Sequence, residues 1–445
     1  MKKRIKFLIS TFISLFFGSS TFAQNYDSLF TYLHKSNQFN GNVLIAEGSQ
    51  VTFAKSYGYA HFFTKELLNR NTQFELASVS KSFTAFAIRQ LHKKGKLNVK
   101  DPMGKYIPEL AFYGDISLEN LIFHTSGLPD YMSLLDQNWD KAKFATNQDI
   151  VNVFAQIRPP LNFPIGSKFE YSNTGYALLG LIIEKASGQS YGEYLKRNVF
   201  VPLKMLNTEV YQSRYSPKEK QNYAYGFVTD SLDRPFLLDS LGKSYYTYFL
   251  DGIVGDGMVN STVDDLLIWA KERNKLLKDA EVLTALSPDV QKEYKYGWSV
   301  ANDKICGKIV SHSGGWAGYT TYLEIHPDHD KVFILLQNVD FPITVIPYRE
   351  VRKLLYGIPL PKSVAISEEE LLKYIGSYKE ESLGLILTVF VDSGILKARA
   401  EGQSAFPLVY EGENTFCFDQ VNIKMTFKGD ELIFKQNGQE FLFKK

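Results

Sequence analysis

Phe74-Glu75-Leu76-Ala77-Ser78-Val79-Ser80-Lys81 is the stretch from which the architecture can be read outward. A strand-like run ends there and helical periodicity begins, with Phe83, Phe86, Ala87 and Leu91 at i, i+3, i+4 and i+8 and Gly95 as a stop. Ser78 stands at the handover, and Lys81 follows one turn later on the same face. A serine so placed has its own N–H and the positive helix end directed at whatever its oxygen attacks. The ammonium at i+3 can lie beside the hydroxyl and help to deprotonate it. On spacing alone, a helix-capping serine with a solvated lysine fits equally well. The same spacing recurs at Ser240-Leu241-Gly242-Lys243, in a loop where no helix is expected to orient it.

Upstream, Tyr26 to Lys35 reads as a short amphipathic helix, and Gly41–Glu47 and Val51–Tyr59 as a hairpin turned at Gly48-Ser49-Gln50. Downstream, residues 100–290 mix long loops with helical segments such as Gly175–Ser187 and Val263–Leu277. Strands return at Lys308–Ser313, Tyr319–His326 and Lys331–Asn338, before a helix over Val345–Leu355. This order predicts an α/β layer assembled from both ends of a long segment, with an all-α insertion between them. Gly357-Ile358-Pro359-Leu360-Pro361 and Glu368-Glu369-Glu370 mark a linker over 359–370. Beyond it, strands alternate with turns at Asp392-Ser393-Gly394, Glu411-Gly412-Glu413, Lys428-Gly429-Asp430 and Asn437-Gly438, the pattern of a small antiparallel β-barrel over 371–445.

The 445 residues are 44% apolar and 22% charged, the balance of a globular protein. The net charge is +2; four cations (Lys2, Lys3, Arg4, Lys6) precede any acidic residue, and without them it is −2. Nucleic acid or an anionic membrane as the main partner would need a basic excess, so neither is expected. The basic start, the apolar run Phe7–Phe17 and Thr21-Phe22-Ala23 before Gln24 read as an export signal over 1–23. The mature chain, with its main domain over 24–358, is expected in the periplasm or secreted, without a stable membrane span. Cys306 and Cys417, each in a strand-like run, are expected to be buried thiols rather than a disulfide. No metal or cofactor is expected: His326-Pro327-Asp328-His329-Asp330 suits a solvated turn better than a zinc site.

Gly188-Gln189-Ser190-Tyr191-Gly192 has the spacing of a hydrolase nucleophile elbow, but a helix rather than a strand runs into it. Ser190 with Glu193 reads as a capping box opening the helix Tyr191–Asn198. Tyr171-Ser172-Asn173 offers a phenol that could act as a base beside a lysine, and an amide able to bond both lysine and substrate. In His312-Ser313-Gly314-Gly315-Trp316 the glycines would let a ligand lie against the backbone, the Gly315 N–H could hold an oxyanion, and His312 with Ser313 could bind a carboxylate or polarise the tyrosine.

Taken in order, Ser78-Val79-Ser80-Lys81, His124-Thr125-Ser126-Gly127-Leu128-Pro129, Tyr171-Ser172-Asn173, Pro202-Leu203-Lys204-Met205 and His312-Ser313-Gly314 resemble the serine β-lactamase and penicillin-binding-protein superfamily. The likeness runs from about residue 40 to 355, in the branch of class C enzymes, D-aminopeptidases and esterases, and takes in Asp256-Gly257-Met258 before Asp264-Asp265-Leu266. Around Tyr374-Ile375-Gly376-Ser377-Tyr378 the terminal segment is similar to the lipocalin-like domain that often follows such catalytic domains. The resemblance implies a β-lactamase/transpeptidase-like fold, an antiparallel sheet flanked by helices with a helical subdomain. It also implies an acyl-enzyme on Ser78, proton transfer by Lys81 and Tyr171, and an oxyanion held by the N–H groups of Ser78 and Gly315.

One departure is informative. His312 stands where β-lactamases carry lysine in a K-[ST]-G triplet, and histidine, with an ordinary pKa of about 6.5, anchors a carboxylate weakly at neutral pH. The substrates that the resemblance implies are small D-amino-acid peptides, of D,D-carboxypeptidase or D-aminopeptidase type, or related amides, including cell-wall-derived ones, then esters, then β-lactams. The non-enzymatic alternative is an idle penicillin-recognition module that binds peptidoglycan fragments.

Overall fold

Gly41–Glu47 (β1) carries Val43, Leu44, Ile45 and Ala46 in succession, all buried, as a strand covered on both faces requires. The computed structural model describes residues 25–230, 234–276, 294–341, 343–360, 366–382, 384–418 and 421–445, without the side chains of 273–276. The proposed export signal lies outside the described residues, as does 361–365 of the linker.

The chain divides into two compact units, one of Gly41–Phe227 with Leu237–Asn338 and the other of the remainder. In the first, β1 is followed by β2 (Gln50–Tyr57), β3 (Phe74–Glu75), a 3-10 turn (Ala77–Ser80) and a helix (Lys81–Lys93). Then come the helices Tyr131–Asn138, Asn147–Ile157 and Asn173–Ser187, β4 (Glu209–Val210), β5 (Val259–Ser261) and the helix Val263–Leu276. Strands β6 (Ser299–Asp303), β7 (Gly307–Trp316), β8 (Tyr319–His326) and β9 (Lys331–Gln337) complete it. The sheet runs β6-β7-β8-β9-β1-β2 and is antiparallel throughout. Register Gly41↔Gln337 to Glu47↔Lys331 joins the two ends of the long segment, and the mostly helical stretch lies between them in sequence. A second small sheet, β3-β5-β4, holds the strand that leads into Ser78.

The other unit holds a helix over 25–35, the helix Tyr348–Leu355 and nine antiparallel strands between Gly376 and Lys444 that form a nearly closed barrel. Rings of Tyr374, Phe416 and Phe427 fill its interior with centroids 4.9 to 5.6 Å apart. The four expected turns all fall at strand ends, although Glu411 and Gly412 still belong to the strand Val409–Gly412 and the chain turns just after them. No helix among the described residues is long and apolar enough to cross a membrane.

Several local expectations differ from the structure. The segment after Ser78 opens as a 3-10 turn, and the α-helix begins only at Lys81. Ser240 lies in a short 3-10 helix, Leu238–Leu241, rather than in plain loop. Cys306 sits in the turn between β6 and β7 with its Sγ on Asp303, not in a strand; it and Cys417 are both buried and not disulfide-bonded. His326 is not solvated: it ends β8 fully buried, 2.8 Å from Glu324, while Asp328 to Asp330 form the exposed turn. Among the described residues no group of three or more metal-binding side chains converges.

Candidate active site

The turn that carries Ser78 is fixed on three sides. Leu76 N–H donates to Val259 O at 2.8 Å, Ser80 Oγ accepts from Val259 N–H at 3.1 Å, and Thr321 Oγ1 donates to Leu76 O at 2.7 Å. Between them Ala77 has φ of +47°, a left-handed conformation costing a non-glycine residue roughly 1–2 kcal/mol. Gly314 allows β7 to approach this turn: a Cβ there would lie 2.2 Å from Leu76 O and 2.3 Å from Thr321 Oγ1.

Lys81 is fully buried, and its Nζ donates to Ser78 Oγ at 3.0 Å, Asn173 Oδ1 at 2.8 Å and Asp256 O at 2.8 Å. Three acceptors match the three N–H bonds of an ammonium, so the buried cation is fully satisfied. Asn173 is placed by a helix start: Ser172 Oγ accepts from Gly175 N–H at 3.2 Å, and Asn173 is the first helical residue. Ser78, Lys81 and Asn173 thus form one hydrogen-bonded group.

Tyr171 lies at the edge of this group. Its ring is 5.1 Å from Lys81 Nζ and its side is 42% exposed, with no hydrogen bond to its hydroxyl among the described residues. His124, which the sequence reading quoted in a motif but gave no task, is buried 4.5 Å from the Tyr171 ring. Its Nδ1 accepts from Ser172 N–H at 3.0 Å, which places its proton on Nε2. Burial and the Lys81 charge hold His124 neutral.

His312 does not meet the expectation of a group that changes charge near neutrality. Burial, then the Lys81 charge, pushes it down to about 3. Its two nitrogens are engaged, Nδ1 with Ser313 O at 2.6 Å and Nε2 with the Tyr294 hydroxyl at 3.1 Å. A neutral ring donating from Nδ1 has no N–H left for a carboxylate. Strand alternation also puts His312 and Gly314 on one face of β7 and Ser313 and Gly315 on the other, so His312 and Ser313 do not act together. Tyr294 was missed because nothing local in the sequence ties it to His312.

Ser78, Asn173 and Gly315 line one cavity of about 90 Å³ with Glu75, Tyr131, Asp256 and apolar groups including Met132, Ile253 and Trp316. Asp256 Oδ2 accepts from the Tyr131 hydroxyl at 2.9 Å, and burial raises its carboxyl against the pull of Lys81. Neither Tyr131 nor Glu75 was singled out from the sequence, although Glu75 stands three residues before Ser78. Ser190 caps a separate helix, its Oγ accepting from Glu193 N–H at 3.3 Å; Glu193 does not bond back, so the expected capping box is only half formed.

A serine and a buried lysine at the start of a helix, beside a glycine strand, define a serine-hydrolase site on a β-lactamase-like fold. The chain belongs to the Beta-lactamase family, whose pattern matches residues 27–357. It is 37% identical over 420 residues to penicillin-binding protein 4* of Bacillus subtilis, covering 90% of this chain and 92% of that protein. In fold it is similar to the octameric penicillin-binding protein homologue from Pyrococcus abyssi, with a TM-score of 0.67 and 24% identity over 95% of this chain and 99% of the other. A D-amino acid amidase from Ochrobactrum anthropi, solved with L-phenylalanine amide, aligns with a TM-score of 0.58 and 23% identity over 73% of this chain and 95% of the amidase.

Proposed function

We propose that this protein is an exported serine hydrolase that cleaves amide bonds of small D-amino-acid substrates through an acyl-Ser78 intermediate. The observation that carries it is the placing of Ser78 Oγ 3.0 Å from Lys81 Nζ, on a cavity also lined by Gly315. Asn173 Oδ1 and Asp256 O can only accept, so once the Lys81 ammonium has released one proton to solvent its two remaining N–H bonds stay on them and its lone pair faces the Ser78 hydroxyl. Ser78 Oγ then bonds to the substrate carbonyl carbon as its proton passes to Lys81, and the carbonyl oxygen becomes an oxyanion facing the N–H groups of Ser78 and Gly315. Collapse breaks the C–N bond, and the amine leaves with a proton delivered from Lys81 by way of Tyr171. Water repeats the sequence on the ester and frees Ser78. His312 is a positioning residue that holds Tyr294 beside Tyr171.

The amide preference is supported by the likeness to the D-amino acid amidase and by the absence of a free N–H on His312 for a β-lactam carboxylate. Export is supported by the basic-apolar start of the sequence. The test is kcat/KM for D-phenylalaninamide, its L enantiomer, p-nitrophenyl acetate and nitrocefin. The D-amide is expected to exceed the L-amide by about 100-fold and nitrocefin by more. Nitrocefin as the best substrate would overturn the amide assignment.

A further inference from the structure

Glu75 has no task in that reaction. It is 4% exposed, lines the cavity that holds Ser78, and its carboxyl receives no hydrogen bond from any described residue. Its pairing with Asn260 across β3 and β5 occupies the backbone only. The charged groups around it are already committed. Arg214 is bound to Asp239 at 2.5 Å and to Asp251 at 3.1 Å, and Lys81 to its three acceptors. Asp256, on the same cavity, accepts only from neutral donors, the Tyr131 hydroxyl and its own N–H. The cavity wall therefore presents two carboxyl groups with no cation hydrogen-bonded to either carboxyl. Burial first, then the nearby Asp251 and Asp256, pushes Glu75 up to about 8, with Arg214 opposing.

We infer that this cavity is a subsite for a primary ammonium group of the substrate, held by Glu75 and Asp256 beside the carbonyl that Ser78 attacks. The inference rests on the acyl-Ser78 reading and adds the charge of the acyl group to it. An ammonium supplies three donors to carboxyl oxygens that have too few, and its charge draws Glu75 into its ionised form, the proton passing to solvent. A cavity of about 90 Å³ admits a compact aminoalkyl group. A neutral group would form no ion pair with either carboxyl.

The test compares D-alanine p-nitroanilide with propionyl p-nitroanilide, which differ only in the amine. For the wild type the amine substrate is expected to win in kcat/KM by about 100-fold or more, mainly through KM. Glu75→Gln and Asp256→Asn should each reduce that ratio about tenfold or more. Should the variants not fold, the wild type alone decides: D-alaninol should inhibit about tenfold or more better than 1,2-propanediol. A wild-type ratio near one, equal inhibition by the two alcohols, or an unchanged ratio in both folded variants would overturn the subsite. If propionyl p-nitroanilide still acylates Ser78 in those cases, the hydrolase reading survives. Failure of every substrate to acylate Ser78 would overturn both.

Discussion

Lys81 shows why the residue scale decides the chemistry. A buried lysine with three acceptors at 2.8 to 3.0 Å is positioned to exchange a proton with Ser78 and to do little else. His312 shows the limit of reading residue types alone. Its spacing suggested a pH-sensitive anchor, but burial removes its charge, and only the fold reveals burial. Between about 3 and 6.5 the folded protein binds fewer protons at His312 than the unfolded chain does. Its neutral form therefore contributes stability that is complete above pH 6.5 and lost as pH falls toward 3. Activity should follow the same charge state. For a matched free-acid and ester substrate, kcat/KM profiles should run parallel between pH 5.5 and 7.5, about a unit either side of the ordinary histidine pKa. Weakening confined to the acid as pH rises through 6.5 would mean that His312 does gain charge and bind the carboxylate.

At the scale of elements, the long strands and helices were legible because their signals are local. Tyr319–His326 matched its strand expectation, and the helix expected over Gly175–Ser187 is observed as Asn173–Ser187, starting two residues earlier. The short edge strand Ser299–Asp303 was not, since Val300 and Ala301 between polar ends carry no period. The left-handed turn at Ala77 was also hidden, because alanine does not favour positive φ. What holds Ala77 there is the close approach of β7 through Gly314. Gly314→Ala would press its methyl against the carbonyl of Leu76, where only backbone could yield. A loss of about 1–3 kcal/mol of stability is expected, with a fall in kcat of about 100-fold as Ser78 shifts. Thermal unfolding and ester hydrolysis measure the two; unchanged kcat would show that the strand does not position the nucleophile.

For the whole molecule, the closing of a sheet from β1 and β9 was foreseeable from strands at both ends of the long segment, and the register Gly41↔Gln337 realises it. The terminal β unit was equally legible from its turns. The cavity was not: Glu75, Tyr131 and Asp256 are far apart in sequence and meet only once the helical insertion has folded. The central claim is that Ser78 becomes acylated, and intact-protein mass spectrometry after brief acid quench of the enzyme with a slow amide or a penicillin tests it most directly. The mature wild type should gain the mass of one acyl group, located by peptide mapping on Ser78, and Ser78→Ala should gain none while Ser190→Ala still does. An adduct that persists in Ser78→Ala, or maps to Ser190, would contradict the account.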